Sequence, residues 1–371
     1  MPALSFAPAL SFLAAFHRVS PVRPLRTLLR TAEEKRHPSH ARPHEPAVST
    51  ARDHVLAEGV AGPHQLITVL HEPGRGPTPT IILGGFVPDS TEQVFLLRGF
   101  FLRSGDLYYF NYPRQGFSLD LFCAQLDDLV EELARRHRQV PVIFSVSFGS
   151  GLLLEWLGRA RRAGRNPALA GVVLISPVAC AADLIAPGTA KPTTLLGRAL
   201  KPYFAASAAT ENGPIEKSRT LFTRMFEAGA QNKAALFSLM TPPELAHLHA
   251  AVMAAIHGIT FTGARERVAA LGTMAAPSDY FSPALLPLTT APALVLFAER
   301  EEAVLEAGSP TRFAFASALR AYFPGGRMQV IANPFGPPVQ HASLIFHVFN
   351  FLPAISAFYH RLKTGKLKVA A

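Results

Sequence analysis

Cysteine is almost missing from this chain of 371 residues, which has only Cys123 and Cys180. That number excludes a disulfide framework, and that spacing excludes a C-x-x-C metal or redox motif. Charged side chains are also scarce, at 17%, while 49% of residues are hydrophobic. A disordered chain needs the opposite balance. Glycine has no period, so collagen is excluded. What the chain does have is length enough to bury a sizeable core, as two domains or as one large α/β domain with an insertion.

The formal charge of +10 is unevenly placed. Residues 1–50 carry seven basic and three acidic side chains, and residues 341–371 carry four basic ones and no acid. The remainder is nearly neutral, which argues against a nucleic-acid partner, since that needs a basic face on the folded domain. Basic ends suit weak contact with anionic lipid heads. Solubility is the plainer account of such charge and is preferred here. Two apolar stretches are candidates for membrane or targeting segments. Pro2 to Phe16 is shorter than the ~20 residues of a span, and its positive charges follow it instead of preceding it as in a secretory signal. Ala342 to Tyr359 contains His347, Asn350 and Pro353, and reads as a buried terminal helix. The expectation is a cytoplasmic protein, with peripheral membrane contact through the basic ends left open.

Residues 36–46, RHPSHARPHEP, read as an extended linker because their prolines block helix. His37, His40 and His44 lack helical spacing and nearby cysteine, so a solvated linker is preferred to a metal site. His54–Leu56 and Gln65–Leu70 look like a strand pair. Strands are then expected at Thr80–Leu83, Leu107–Phe110, Val140–Phe144 and Gly171–Ile175. Helices are expected between them at Thr91–Leu102, Leu119–Arg136 and Gly149–Ala160. This alternation predicts a mainly parallel sheet with helices on both faces. The rhythm stops after Pro177 and returns with a strand at Ala293–Phe297, a helix at Arg312–Tyr322, a strand at Met328–Ile331 and a helix from Leu344. One sheet interrupted by a helical insertion follows. The expected organisation is an N-terminal segment and linker at 1–50, a core at 51–177 and 291–371, and a helical cap at 178–290.

The strand at 140–144 runs into Ser145-Val146-Ser147-Phe148-Gly149 and then a helix. A nucleophilic serine needs such a strained turn, with small residues two before and two after it. Ser145 stands where glycine is usual. Ser147 is the candidate nucleophile, with Ser145 and Ser150 next. The backbone N–H of Phe148 is one candidate oxyanion donor. The N–H of Phe86, in the Gly84-Gly85-Phe86 turn, is the other. An acid and then a histidine must follow in sequence. The turn after 293–297 offers Glu301, with Glu302 and Asp183 as alternatives. His341 follows the strand at 328–331. Ligands bind at the carboxyl ends of parallel strands, where these turns lie.

Over about Gly59 to Tyr359 this order resembles the α/β-hydrolase fold. The resemblance rests on Gly84-Gly85-Phe86, on Tyr112-Pro113-Arg114-Gln115-Gly116-Phe117-Ser118 after the next strand, on the Ser147 elbow, on Ala298-Glu299-Arg300-Glu301 and on His341. It implies that His341 takes the Ser147 proton and that Glu301 orients the imidazole. Each residue also has a plainer reading: Ser147 as a small residue at a packed turn, the glutamates as a solvated charge run, Asp183 as a helix cap. The implied function is a serine hydrolase acting on a small-molecule carboxylic ester or thioester. Leu221, Phe222, Met225, Phe226, Leu236, Phe237 and Met240 of the insertion suggest an apolar acyl pocket. Acyl transfer with the same residues, or non-catalytic binding in the same cleft, are the alternatives. No phosphate loop, dinucleotide fingerprint or metal constellation is present in the sequence, so no cofactor and no metal are expected.

Overall fold

The computed structural model describes residues 41–59, 64–189, 191–204, 215–230, 240–334 and 336–365. The apolar stretch at 2–16, most of the basic N-terminal segment, the lysines at 366 and 368, and Leu236 and Phe237 lie outside them. The elements, in chain order, are β1 (Arg42–Pro43), α1 (Thr50–Ala57), β2 (Thr68–Glu72), β3 (Thr80–Leu83), α2 (Ser90–Gln93), α3 (Arg98–Leu102), β4 (Leu107–Asn111), α4 (Leu119–Arg135), β5 (Val142–Val146), α5 (Phe148–Arg162) and β6 (Gly171–Ile175). Among the described residues four inserted helices follow: α6 (Leu195–Phe204), α7 (Ile215–Gly229), α8 (Pro242–Gly258) and α9 (Phe261–Thr273). The chain then returns to the sheet with β7 (Ala293–Ala298), α10 (Pro310–Tyr322), β8 (Arg327–Ile331) and α11 (Val348–Lys363).

All eight strands form one sheet in the order β1-β2-β4-β3-β5-β6-β7-β8. The β1–β2 and β2–β4 pairs are antiparallel, and every other pair is parallel. The fold is therefore α/β with a mainly parallel sheet. Strands β3, β5, β6 and β7 are buried at every residue. Their sequences, TIIL, VIFSV, GVVLI and ALVLFA, are the near-continuous apolar runs that a sheet covered on both faces requires. No single helix among the described residues is long and apolar enough to cross a membrane; α8 and α9 pass on length and composition only as a pair bent by 83°.

Four local expectations need correction. His54–Leu56 is not a strand but part of α1. Its N-terminus is held from a distance, because Asp128 on α4 accepts from the N–H groups of Ala51 and Arg52 at 2.8 and 3.0 Å. Three residues are too few to tell a period of two from one of 3.6. The stretch read as linker is ordered at its end. Arg42 and Pro43 pair with His71 and Leu70 of β2, and the His44 side chain packs on the Tyr108 and His71 rings. Strand β5 begins two residues later than expected, at Val142, whose N–H donates to Pro79 O at 2.9 Å. Pro141 has no N–H to give a ladder. Finally, residues 91–102 are not one helix but two short ones, α2 and α3, joined by a tighter turn at Phe95–Leu97.

Candidate active site

The strand ends bring three of the expected side chains together. Ser147 joins β5 to α5 with φ 50° and ψ −114°, a conformation that side-chain-bearing residues rarely adopt. Its neighbours hold it there: its N–H donates to Ile175 O at 2.8 Å, and its own carbonyl accepts from Val178 N–H at 3.2 Å. Glycine at 149 is required by space, because a Cβ there would sit 2.4 Å from Gly84 O and 2.6 Å from Leu83 O. Ser145 replaces the usual glycine without strain. Its hydroxyl turns across the sheet to Val173 O at 2.9 Å and meets Ser150 Oγ at 3.0 Å. Both of these serines are fully buried in that contact.

His341 Nε2 lies 2.9 Å from Ser147 Oγ, and its Nδ1 is bonded to Glu301 Oε2. With the carboxylate at Nδ1, that nitrogen carries the proton and Nε2 accepts from the serine hydroxyl. Glu301 is 1% exposed. Its other oxygen accepts from Ser176 Oγ at 2.8 Å and from Ala298 N–H at 2.6 Å. Ser176, which sequence reasoning missed, also accepts from Ala342 N–H at 3.2 Å and so ties the end of β6 to the histidine loop. Ser176 and Ala342 have positive φ, as Ser147 does, so unusual backbone concentrates around this cluster.

The neighbouring acids do other work. Glu299 accepts from the N–H groups of Asn333 and Val339, at 2.9 and 2.7 Å, and pins the loop that delivers His341. Glu302 is exposed and pairs with Arg300 at 3.1 Å. Asp183 is fully buried, but it accepts from Ala179 N–H, Ser309 Oγ and Thr311 far along the chain. Neither Glu302 nor Asp183 is brought to His341. His347 is buried between Ser343 Oγ at 3.0 Å and Pro337 O at 3.2 Å, and burial lowers its pKa to about 4.

The N–H groups of Phe86 and Phe148 donate to no acceptor among the described residues. The loop bearing Phe86 is fastened by Gln93, a second residue that sequence reasoning missed. Its Oε1 accepts from Gly85 N–H at 2.6 Å. A cavity of about 150 Å³ opens beside Ser147 and His341. Its far wall is apolar and comes largely from the insertion: Leu196, Phe222, Met225, Phe226, Val252 and Ile256. Met240 and Leu221 are buried but do not line it. Cys123 and Cys180 are buried, and burial pushes each thiol up to about 12, so neither is a ready nucleophile. Among the described residues no group of three or more His, Cys, Asp or Glu side chains is placed to hold a metal ion.

No family model and no curated protein matches the chain by sequence. Solved structures match it by shape. An esterase from Rhodococcus sp. ECU1013 superposes with a TM-score of 0.51 at 15% identity, covering 80% of this chain and 96% of that one. An esterase from Exiguobacterium antarcticum gives 0.52 at 12% identity, over 79% and 96%. A membrane phospholipase A described as a bacterial virulence factor gives 0.52 at 13% identity, over 97% and 94%. At such identities the likeness speaks for the architecture, and with the strand order and the serine turn it identifies this chain as a protein of the α/β-hydrolase fold.

Proposed function

We propose that this protein is a serine hydrolase that cleaves a carboxylic ester or thioester with an apolar acyl group through an acyl-enzyme. The observation that carries the reading is the continuous hydrogen-bonded path from Ser147 Oγ through His341 to the buried Glu301, at the lip of an apolar cavity. His341 takes the hydroxyl proton as Ser147 attacks the carbonyl, and returns it to the leaving alcohol or thiol. Glu301 fixes the imidazole tautomer and offsets its transient positive charge. The N–H groups of Phe86 and Phe148 receive the developing oxyanion, where one lost donor costs about 3–4 kcal/mol of barrier stabilisation. Water then repeats the sequence on the acyl-enzyme. The helices at 178–290 act as a cap whose apolar side chains receive the acyl group. That solved structures of similar shape include esterases and a phospholipase accords with ester chemistry.

Reaction with a fluorophosphonate probe and hydrolysis of p-nitrophenyl esters test this reading. Ser147→Ala is expected to lose labelling and essentially all turnover while nearly keeping the wild-type melting temperature, since Oγ faces His341 and the cavity. Turnover that survives in Ser147→Ala moves the nucleophile elsewhere. A wild-type chain that neither labels nor cleaves esters leaves a binding cleft instead of an enzyme.

A further inference from the structure

One cation beside the candidate site is buried with no carboxylate in contact with it among the described residues. Arg267, on α9 of the insertion, is 1% exposed. Its Nη1 donates to Phe86 O, and its Nη2 donates to Pro113 O at 3.0 Å and to Tyr112 O at 3.3 Å. The guanidinium carbon stands 5.8 Å from the centre of the Phe86 ring and 5.6 Å from that of Tyr112. Among the described residues no carboxylate forms an ion pair with it, and its Nε has no acceptor. The nearby acids are engaged elsewhere. Asp89 accepts from Arg114 at 2.6 Å, and Glu266 accepts from the N–H groups of Gly116 and Phe117 at 2.5 and 2.9 Å. Burial and the Arg114 charge lower the pKa of Arg267 to about 10, which still leaves it charged at neutral pH.

This is a costly way to fill space. An uncompensated buried charge is strongly unfavourable, and an apolar side chain of similar size would pack as well. The fork instead fastens two loops at once: the turn after β3, which carries Phe86, and the loop after β4, which carries Tyr112 and Pro113. The helix that presents it is seated tightly, because a Cβ on Gly263 would fall 1.8 Å from Arg114 O. Fixed donors and fixed charge lower a barrier only if they stand in place before the reaction begins.

We propose that Arg267 is the positioning residue of the oxyanion loop: from the insertion it holds the Phe86 carbonyl, so that the adjoining N–H keeps its aim at the reacting carbonyl, and its charge, which no carboxylate contacts among the described residues, favours the oxyanion. The proposal rests on the hydrolase reading. It also makes the insertion part of the catalytic electrostatics as well as a wall of the pocket.

The test compares Arg267→Met and Arg267→Lys with the wild type. Esterase kcat and KM are measured per active site titrated with fluorophosphonate, alongside melting temperature and hydrogen exchange of residues 84–88. Arg267→Met is expected to lower kcat about 10- to 100-fold with KM nearly unchanged, to keep or raise the melting temperature, and to speed exchange at 84–88. Arg267→Lys keeps the charge without the fork and is expected to recover part of kcat. Wild-type kcat in Arg267→Met overturns the proposal. So do equal losses in both variants accompanied by a lower melting temperature, which would mark a packing role. Failure of the hydrolase reading shows separately, as a wild type that neither labels nor cleaves. In that event unchanged exchange at 84–88 in Arg267→Met still overturns the anchoring role, and faster exchange supports it.

Discussion

The edge of the sheet and the inserted helices give an arginine opposite surroundings. At the edge of the sheet, Arg98 lays its fork on the buried Glu72, and Tyr109 Oη donates to the same carboxylate at 3.0 Å. That charge is neutralised where it stands, and nothing reacts nearby. In α9, Arg267 meets main-chain carbonyls and aromatic faces, with no carboxylate in contact among the described residues. An ion pair that closes on itself serves the fold. A cation given only carbonyls keeps its field, and that field is useful where negative charge develops.

Variants with separable readouts sharpen this contrast. The largest effect is expected at the carboxylate that does face the reaction. Glu301→Gln keeps the shape but loses the charge and the tautomer control, so kcat should fall about 10³- to 10⁴-fold with little change in melting temperature. Glu302→Gln on the same turn should leave kcat unchanged. If the second substitution costs more than the first, the acid has been misassigned. Near the sheet edge, Glu72→Ala removes the carboxylate on which the Arg98 fork rests and should cost about 1–3 kcal/mol of stability in a denaturant titration. The kcat per titrated site should stay at the wild-type value, unlike that of Arg267→Met. A fall in kcat with Glu72→Ala would erase the distinction between the two arginines.

The smallest effect concerns two histidines six residues apart. His341 has the carboxylate that an imidazolium needs, whereas His347 is buried against a hydroxyl and a carbonyl. The pKa of His347 is lowered in the fold, so its neutral form is the one that is stabilised. Its contribution is complete above the unfolded value of about 6.5 and is lost progressively as the pH falls towards 4. The melting temperature should drop over that window, with a total loss of at most about 3 kcal/mol. His347→Gln should flatten the drop, and an unchanged slope would assign the acid sensitivity to another group.

The candidate serine and histidine were legible because local rules constrain them. A strand running into a small-x-Ser-x-small turn and a helix is a short-range pattern, and the histidine loop follows a strand of its own. The acid was less legible. Glu299, Glu301 and Glu302 lie within four residues and look alike in sequence, yet one pins a loop, one is buried on His341, and one sits in solvent beside Arg300. Spacing along the chain cannot divide those roles, because each depends on a partner that arrives from elsewhere. The same holds for α1, whose N-terminal N–H groups are accepted by Asp128, 76 and 77 residues away.

The amino-acid sequence by itself determined the alternation of buried strands and helices, the break at the insertion, and the strained serine turn. These follow from apolar runs, periodicity and glycine placement, which act over a few residues. Only the tertiary structure decided that Ser176 and Ala298 hold Glu301, that Gln93 fastens Gly85, and that Arg267 crosses from α9 to the Phe86 loop. Burying a polar group requires a partner of matching geometry, and the partner can come from any element that the sheet brings near.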